Sequence, residues 1–172
     1  MGKHSTGQNI LIAIDRLDPS LQAVEYVGEM VGDRKGLSVY LFHVLPPFPP
    51  SLLEFGGAED PQKEVVLSQQ LRDDQALWVA DAIESAQPWF ERAKETLQWS
   101  HVSMEMVHSK VSPSIHKPDL VRDILEAAKN LHCGTIVVGR DSFPSFQEMH
   151  RRHVGEELVE KGKGFAVWVV EY

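Results

Sequence analysis

Short, nearly unbroken runs of apolar and β-branched residues, separated by tracts with helical spacing, constrain this chain more than any other feature. Residues 9–15 (NILIAID), 135–138 (TIVV) and 165–170 (FAVWVV) carry hydrophobic side chains at successive positions, not alternate ones. A strand with one face in water alternates polar with apolar residues, so the run at 9–15 is expected to be covered on both faces. Parallel sheets obtain that cover from helices that cross over them.

The chain between the runs supplies such helices. Asp18 is placed to cap a helix with Pro19 at its first position, and Leu21, Val24, Tyr26, Val27, Met30 and Val31 recur at helical spacing to about Gly32. Residues 37–44 (LSVYLFHV) predict a second strand. Pro46, Pro47, Pro49 and Pro50 then stop regular structure. The insert at 46–60 predicts a long surface loop, whose Leu52, Leu53 and Phe55 either tuck against their own domain or meet a cleft or a partner. A helical tract opens at Asp60-Pro61 and runs to about Trp99, with Val65, Val66, Leu71, Leu77, Trp78, Ala82, Ile83, Trp89, Phe90, Ala93 and Leu97 marking its buried side. Pro88 is expected to kink or divide it, with Ser85 as a new cap, and its tryptophans read as packing.

Residues 101–108 (HVSMEMVH) alternate, which predicts a third strand nearer an edge. A loop at 109–118 follows, then an amphipathic helix at 119–131 with Leu120, Ile124, Leu125, Ala128 and Leu131 on one side. After the fourth strand, residues 139–144 form an exit loop, and 147–162 predict a last helix with Val154, Leu158 and Val159 inward. Five strands with four crossovers give an α/β fold. It is a doubly wound, five-stranded parallel sheet with helices on both faces, flavodoxin-like or Rossmann-like, in one domain over 1–172. Ligands in such sheets bind outside the carboxyl ends of the strands, which directs attention to the loop after the fourth strand.

Several function classes are set aside by what the chain lacks. There is no GxGxxG after the first strand, no GxxxxGK[ST] and no GxSxG. The net charge of -8 argues against a nucleic-acid partner bound through phosphates. No apolar run approaches the roughly 20 residues needed to cross a bilayer. The single cysteine, Cys133, suits a reducing cytoplasm and reads as an inert small hydrophobe. His43, between Phe42 and Val44, reads as a hydrogen-bonded core histidine. Gly2 and Thr6 fit the loose myristoylation pattern, which a frayed polar tail also explains.

The runs themselves carry a resemblance. NILIAID, LFHVLPP, ILEAAKNLHCGTIVVGRDS and VWVV together are similar to the universal stress protein family over nearly the whole length. The resemblance implies the adenine nucleotide alpha hydrolase-like version of the fold. It also implies a homodimer through the last strand, which begins at Phe165 and ends at Val170. The family's nucleotide-binding branch carries G-x2-G-x9-G-[ST] after the fourth strand, where glycines let the backbone approach a triphosphate at a helix N-terminus. By count, the first glycine is Gly139, the second position Ser142, the third Arg152 and the hydroxyl position His153. The family's adenine-side aspartate matches Asp15 and its second-strand adenine contact matches Val44, while its serine two residues after the aspartate is Leu17.

Two functional expectations follow. One is a dimeric regulatory module with an unidentified protein partner and no cofactor, because the glycines of the phosphate loop are replaced. The other is retained ATP or AMP binding, with Arg140, Arg151, Arg152 and His153 meeting phosphates through their side chains and Asp15 meeting the adenine or ribose. The same cations also read as a solvated face that balances Glu148, Glu156 and Glu157. A third expectation is a metal site or a hydrolytic centre, with His150, His153 and Glu157 on one helical face. An aspartate where Asp15 stands caps a following turn as readily as it contacts a ligand.

Overall fold

The computed structural model describes residues 7–53, 57, 59–112 and 119–171. Gly2, Thr6, Phe55 and Gly56, and most of the loop before Asp119, lie outside the described residues. Five strands, β1 (Asn9–Ala13), β2 (Val39–His43), β3 (Val107–Val111), β4 (Cys133–Gly139) and β5 (Ala166–Val170), form one parallel sheet in the order β3-β2-β1-β4-β5. The chain steps outward from β1 through β2 to β3, then returns to the other side of β1 for β4 and β5. The order therefore reverses at β1 and β4, where a crevice opens beyond the carboxyl ends of the strands.

The side chains of β1, and of Ile14 just after it, show why the first run is unbroken, whereas the run of β5 lies at the sheet edge with Ala166 and Val169 exposed. Ile10, Ile12 and Ile14 enter one core with Val24, Val27 and Phe90, from helices α1 (Asp18–Val31) and α2 (Pro61–Trp99). Leu11 and Ala13 enter the other core with Ile124, Val154 and Leu158, from α3 (Leu120–Asn130) and α5 (Val154–Lys161). Successive strand residues point to opposite faces, so a strand buried on both sides must be apolar throughout.

Four expectations are corrected. The third strand begins at Val107, because His101 takes a left-handed conformation (φ 65°) after α2 and Met104–Met106 form a 3-10 turn. The apolar residues at 102, 104 and 106 pack from that turn instead, and β3 does lie at the sheet edge. The last helix is two, α4 (Pro144–His150) and α5, broken at Arg151, whose φ of 53° no helix interior accommodates. Pro88 does not divide α2, and Ser85 does not cap. The missing Pro88 amide falls on an exposed side of the helix, where water reaches the unpaired carbonyl. Asp18 is the first residue of α1, and its side chain meets Arg92 at 3.6 Å instead of capping.

Burial differs from the periodicity at both ends of the fold. Val65, Val66, Leu77 and Trp99 of α2 are exposed, as are Met30 and Val159. A helix of 39 residues is about 58 Å long at 1.5 Å per residue, whereas strands of five to seven residues span roughly 17–23 Å, so much of α2 has no sheet beside it. The described part of the insert tucks against its own domain. Phe48 is buried edge-on against Trp78, with ring centroids 5.1 Å apart, and the Gln75 amide donates to the Leu52 carbonyl at 2.7 Å. No helix among the described residues is long and apolar enough to cross a membrane.

Candidate functional site

The crevice at the reversal point is built from the turn that follows β1. Asp15 Oδ1 accepts the Leu17 amide at 2.9 Å and the Ser20 hydroxyl at 2.8 Å, and Asp15 Oδ2 accepts the Phe143 amide at 2.7 Å. Ser20 in turn accepts the Asp15 amide at 3.0 Å. Its single proton is directed at Asp15, so the Ser142 hydroxyl 2.9 Å away is the donor in their contact. Ser20 and Ser142 are both buried. The result is a closed network that ties the start of α1 to the loop after β4 through one carboxylate. Of the two roles open to Asp15 in the sequence, its bonds to Leu17 and Ser20 describe the turn-forming one.

Gly139 has a packing reason to lack a side chain. A Cβ there would come to 2.3 Å from the Pro19 carbonyl oxygen and 2.6 Å from Ser142 Oγ. Four residues on, Phe143 takes a left-handed conformation (φ 57°) and stands at the N-terminal end of α4. The stretch between Gly139 and α5 is thus a tight turn and a two-turn helix.

A cavity of about 740 Å³ lies beside this network. Asp15 and Val44 line it, together with His43, Pro46, Leu120 and Val121 on one side and Phe143, Phe146 and Met149 on the other. Gly139, Arg140, Ser142, Arg152 and His153 are not among its lining residues. Arg140 instead pairs with Glu171 at 2.6 Å beyond β5. Arg152 meets Glu160 at 2.7 Å, Glu157 at 3.3 Å and Glu156 at 4.0 Å along α5. His153 lies 3.1 Å from the Arg140 carbonyl and 3.8 Å from Asp141. The seven candidate positions therefore fall into three places: Asp15 and Val44 on the cavity, Gly139 and Ser142 behind it, and the cations out toward β5 and α5.

His43 belongs to both core and cavity. Its Nδ1 lies 2.9 Å from the Ile14 carbonyl, which can only accept, so Nδ1 carries the proton. Trp89 and Phe90 stand edge-on to its ring. Burial pushes its pKa below 6.5, against smaller opposing effects of the Ile14 hydrogen bond and the Asp15 charge. The imidazole is consequently neutral near pH 7. Cys133 is buried and its thiol is pushed up to about 12 by desolvation, which fits the inert role.

No helical face unites His150, His153 and Glu157, because the break at Arg151 puts His150 on α4 and His153 at the start of α5. No group of three or more His, Cys, Asp or Glu among the described residues is arranged to hold a metal. Sequence reasoning missed Arg16, Arg122, Met149 and Lys161 as lining residues. Arg16 carried the one available signal, since it directly follows Asp15 at the strand end.

The family model described as universal stress protein family matches residues 7–170. No curated protein matches the sequence. Among solved structures, a universal stress protein family member from Burkholderia pseudomallei aligns with a TM-score of 0.63 at 17% identity, over 98% of each chain. A universal stress protein in complex with cAMP aligns with a TM-score of 0.60 at 14% identity, over 97% of this chain and 99% of that one. A universal stress protein from Archaeoglobus fulgidus in complex with dAMP aligns with a TM-score of 0.53 at 15% identity, over 96% and 99%. At these identities the structural likeness concerns the fold.

Proposed function

Because the chain belongs to the universal stress protein family, we propose that it is a regulatory stress-response module that does not hold ATP in the family's glycine loop. The observation that carries this reading is the closed network at Asp15. Its carboxylate, the Ser142 hydroxyl and the Phe143 amide are already bonded within the protein, so a phosphate or a ribose has to compete with those bonds. Of the cations that would replace the glycines, Arg140 pairs with Glu171 and Arg152 with Glu157 and Glu160, and neither arginine lines the cavity. Such a module acts through a protein partner. The exposed Val169 on the edge strand β5 and the exposed Val159 beside it support a homodimer through the last strand.

Thermal unfolding with 5 mM ATP and Mg²⁺ tests the reading. A ligand at a hundredfold excess over its Kd stabilises a protein by about 2.7 kcal/mol. In a chain of this size that is a rise of roughly 5–10 °C in Tm. The reading predicts no rise, and a rise of that size overturns it. A second reading, retained nucleotide binding, is favoured by Asp15 and Val44, the two adenine-side positions, which share one cavity. The same melt with AMP and cAMP separates the two.

A further inference from the structure

We infer that the cavity beside Asp15 takes a ring-bearing apolar carboxylate, a ligand with one negative charge at one end of a hydrocarbon body. The inference deepens the functional reading and rests on its claim that no triphosphate occupies this cleft.

A volume of about 740 Å³ is that of a small-molecule site, and the walls say which small molecule. Leu45, Pro46, Val121, Phe143, Phe146 and Trp89 give it an apolar and partly aromatic lining. The charged side chains on the wall are, but for one, already engaged. Asp15 accepts three hydrogen bonds. Asp119 accepts the Arg122 amide at the start of α3, and His43 Nδ1 bonds the Ile14 carbonyl. Arg122 pairs with Asp123 and Glu126, and Lys161 pairs with Glu157. His150 stacks on Phe146 with centroids 4.1 Å apart and bonds the Phe146 carbonyl through Nδ1.

A sugar needs several free donors and acceptors, and displacing the bonds at Asp15 and His43 would leave partly buried groups unsatisfied. A hydrocarbon body asks for none. Among the described residues that line the cavity, Arg16 is the cation without an ion pair. It is exposed, beside Asp15 where the turn leaves β1. One unpaired guanidinium matches one carboxylate, whereas the charges of a triphosphate would outnumber it.

Calorimetric titration with 2-naphthoate and with its neutral counterpart 2-naphthylmethanol tests this on the full chain and two variants. Both probes are expected to bind saturably at one site. Arg16→Gln is expected to weaken naphthoate roughly three- to tenfold and leave naphthylmethanol unchanged. Ser145→Trp, at an exposed lining position where the fold is not at risk, is expected to put an indole against the apolar wall where the hydrocarbon body would lie and abolish both. No saturable binding, binding that survives Ser145→Trp, or an Arg16→Gln effect that does not distinguish the probes would overturn the inference. ATP with Mg²⁺ is titrated in parallel. If neither naphthoate nor ATP binds, this inference alone fails. If ATP binds and displaces naphthoate, the functional reading fails with it.

Discussion

The backbone amide of Phe143 donates to the Asp15 carboxylate at 2.7 Å, joining two residues 128 positions apart. Through that bond the end of the first strand fixes the loop after the fourth and sets where α4 begins. The other oxygen of the same carboxylate serves Leu17 and Ser20, so one side chain organises both rims of the cavity.

Asp15→Ala removes the acceptor of three hydrogen bonds at once. Hydrogen bonds to a charged group contribute about 1.5–3 kcal/mol each, but they are not additive here and water reaches part of the site, so the expected loss is about 2–3 kcal/mol. Urea unfolding measures it. Asp15→Asn, which keeps one acceptor oxygen, should lose less. A loss below about 0.5 kcal/mol for the alanine variant, within the usual range of surface substitutions, would mean the loop is held by other contacts.

His43 gives a pH dependence with a definite sign. Burial lowers its pKa in the folded chain, while in the unfolded chain it titrates near 6.5. As pH falls through 6.5 the unfolded state takes up a proton before the native state does, so stability falls. The contribution approaches about 1.4 kcal/mol per pH unit below 6.5 until the native imidazole also protonates. Unfolding curves at pH 7.5 and 5.5 should therefore lie closer together in His43→Gln than in the parent. Equal spacing in the two proteins would contradict the assignment.

Cys133 should be silent toward a disulfide reagent at pH 8 in the folded protein and react at once in urea. Its thiol is pushed up to about 12, and little of it is exposed. Rapid labelling of the native chain would show that the strand β4 opens locally.

Edge strand β5 should carry self-association. Val169→Glu places a charge on an exposed residue of the last strand, close to Gly155 of α5, where a Cβ would meet the Val169 methyl at 2.6 Å. Light scattering should show a dimer for the parent and a monomer for the variant. A parent that is monomeric at tens of micromolar would remove the last strand as an interface.

Much of this architecture was legible in the unbroken runs. The continuous apolar character of 9–15 reports two covered faces, and β1 is central in the sheet for that reason. The position of Gly139 at the end of β4 was readable too, though its packing against the Pro19 carbonyl was not, because a contact 120 residues away leaves no local pattern. The break at Arg151 carries neither glycine nor proline, so nothing local marked it, and across it Phe146 of α4 and Val154 and Leu158 of α5 enter the same core. The exposure of Val65 and Val66 was hidden by spacing that fits a buried helix, since periodicity does not reveal whether a sheet lies beside it. Among the candidate ligands of phosphate, the count put Arg152 and His153 in register, but a count does not say which way a side chain is drawn by three glutamates.

Isothermal titration of the full chain with ATP and Mg²⁺ at low salt tests the central claim most directly. The closed network at Asp15 and the ion-paired arginines predict no saturable heat up to millimolar nucleotide. One-site binding with a Kd in the low micromolar range would contradict the account, since it would require the Asp15–Phe143 bond or the Arg152 pairs to open for the ligand.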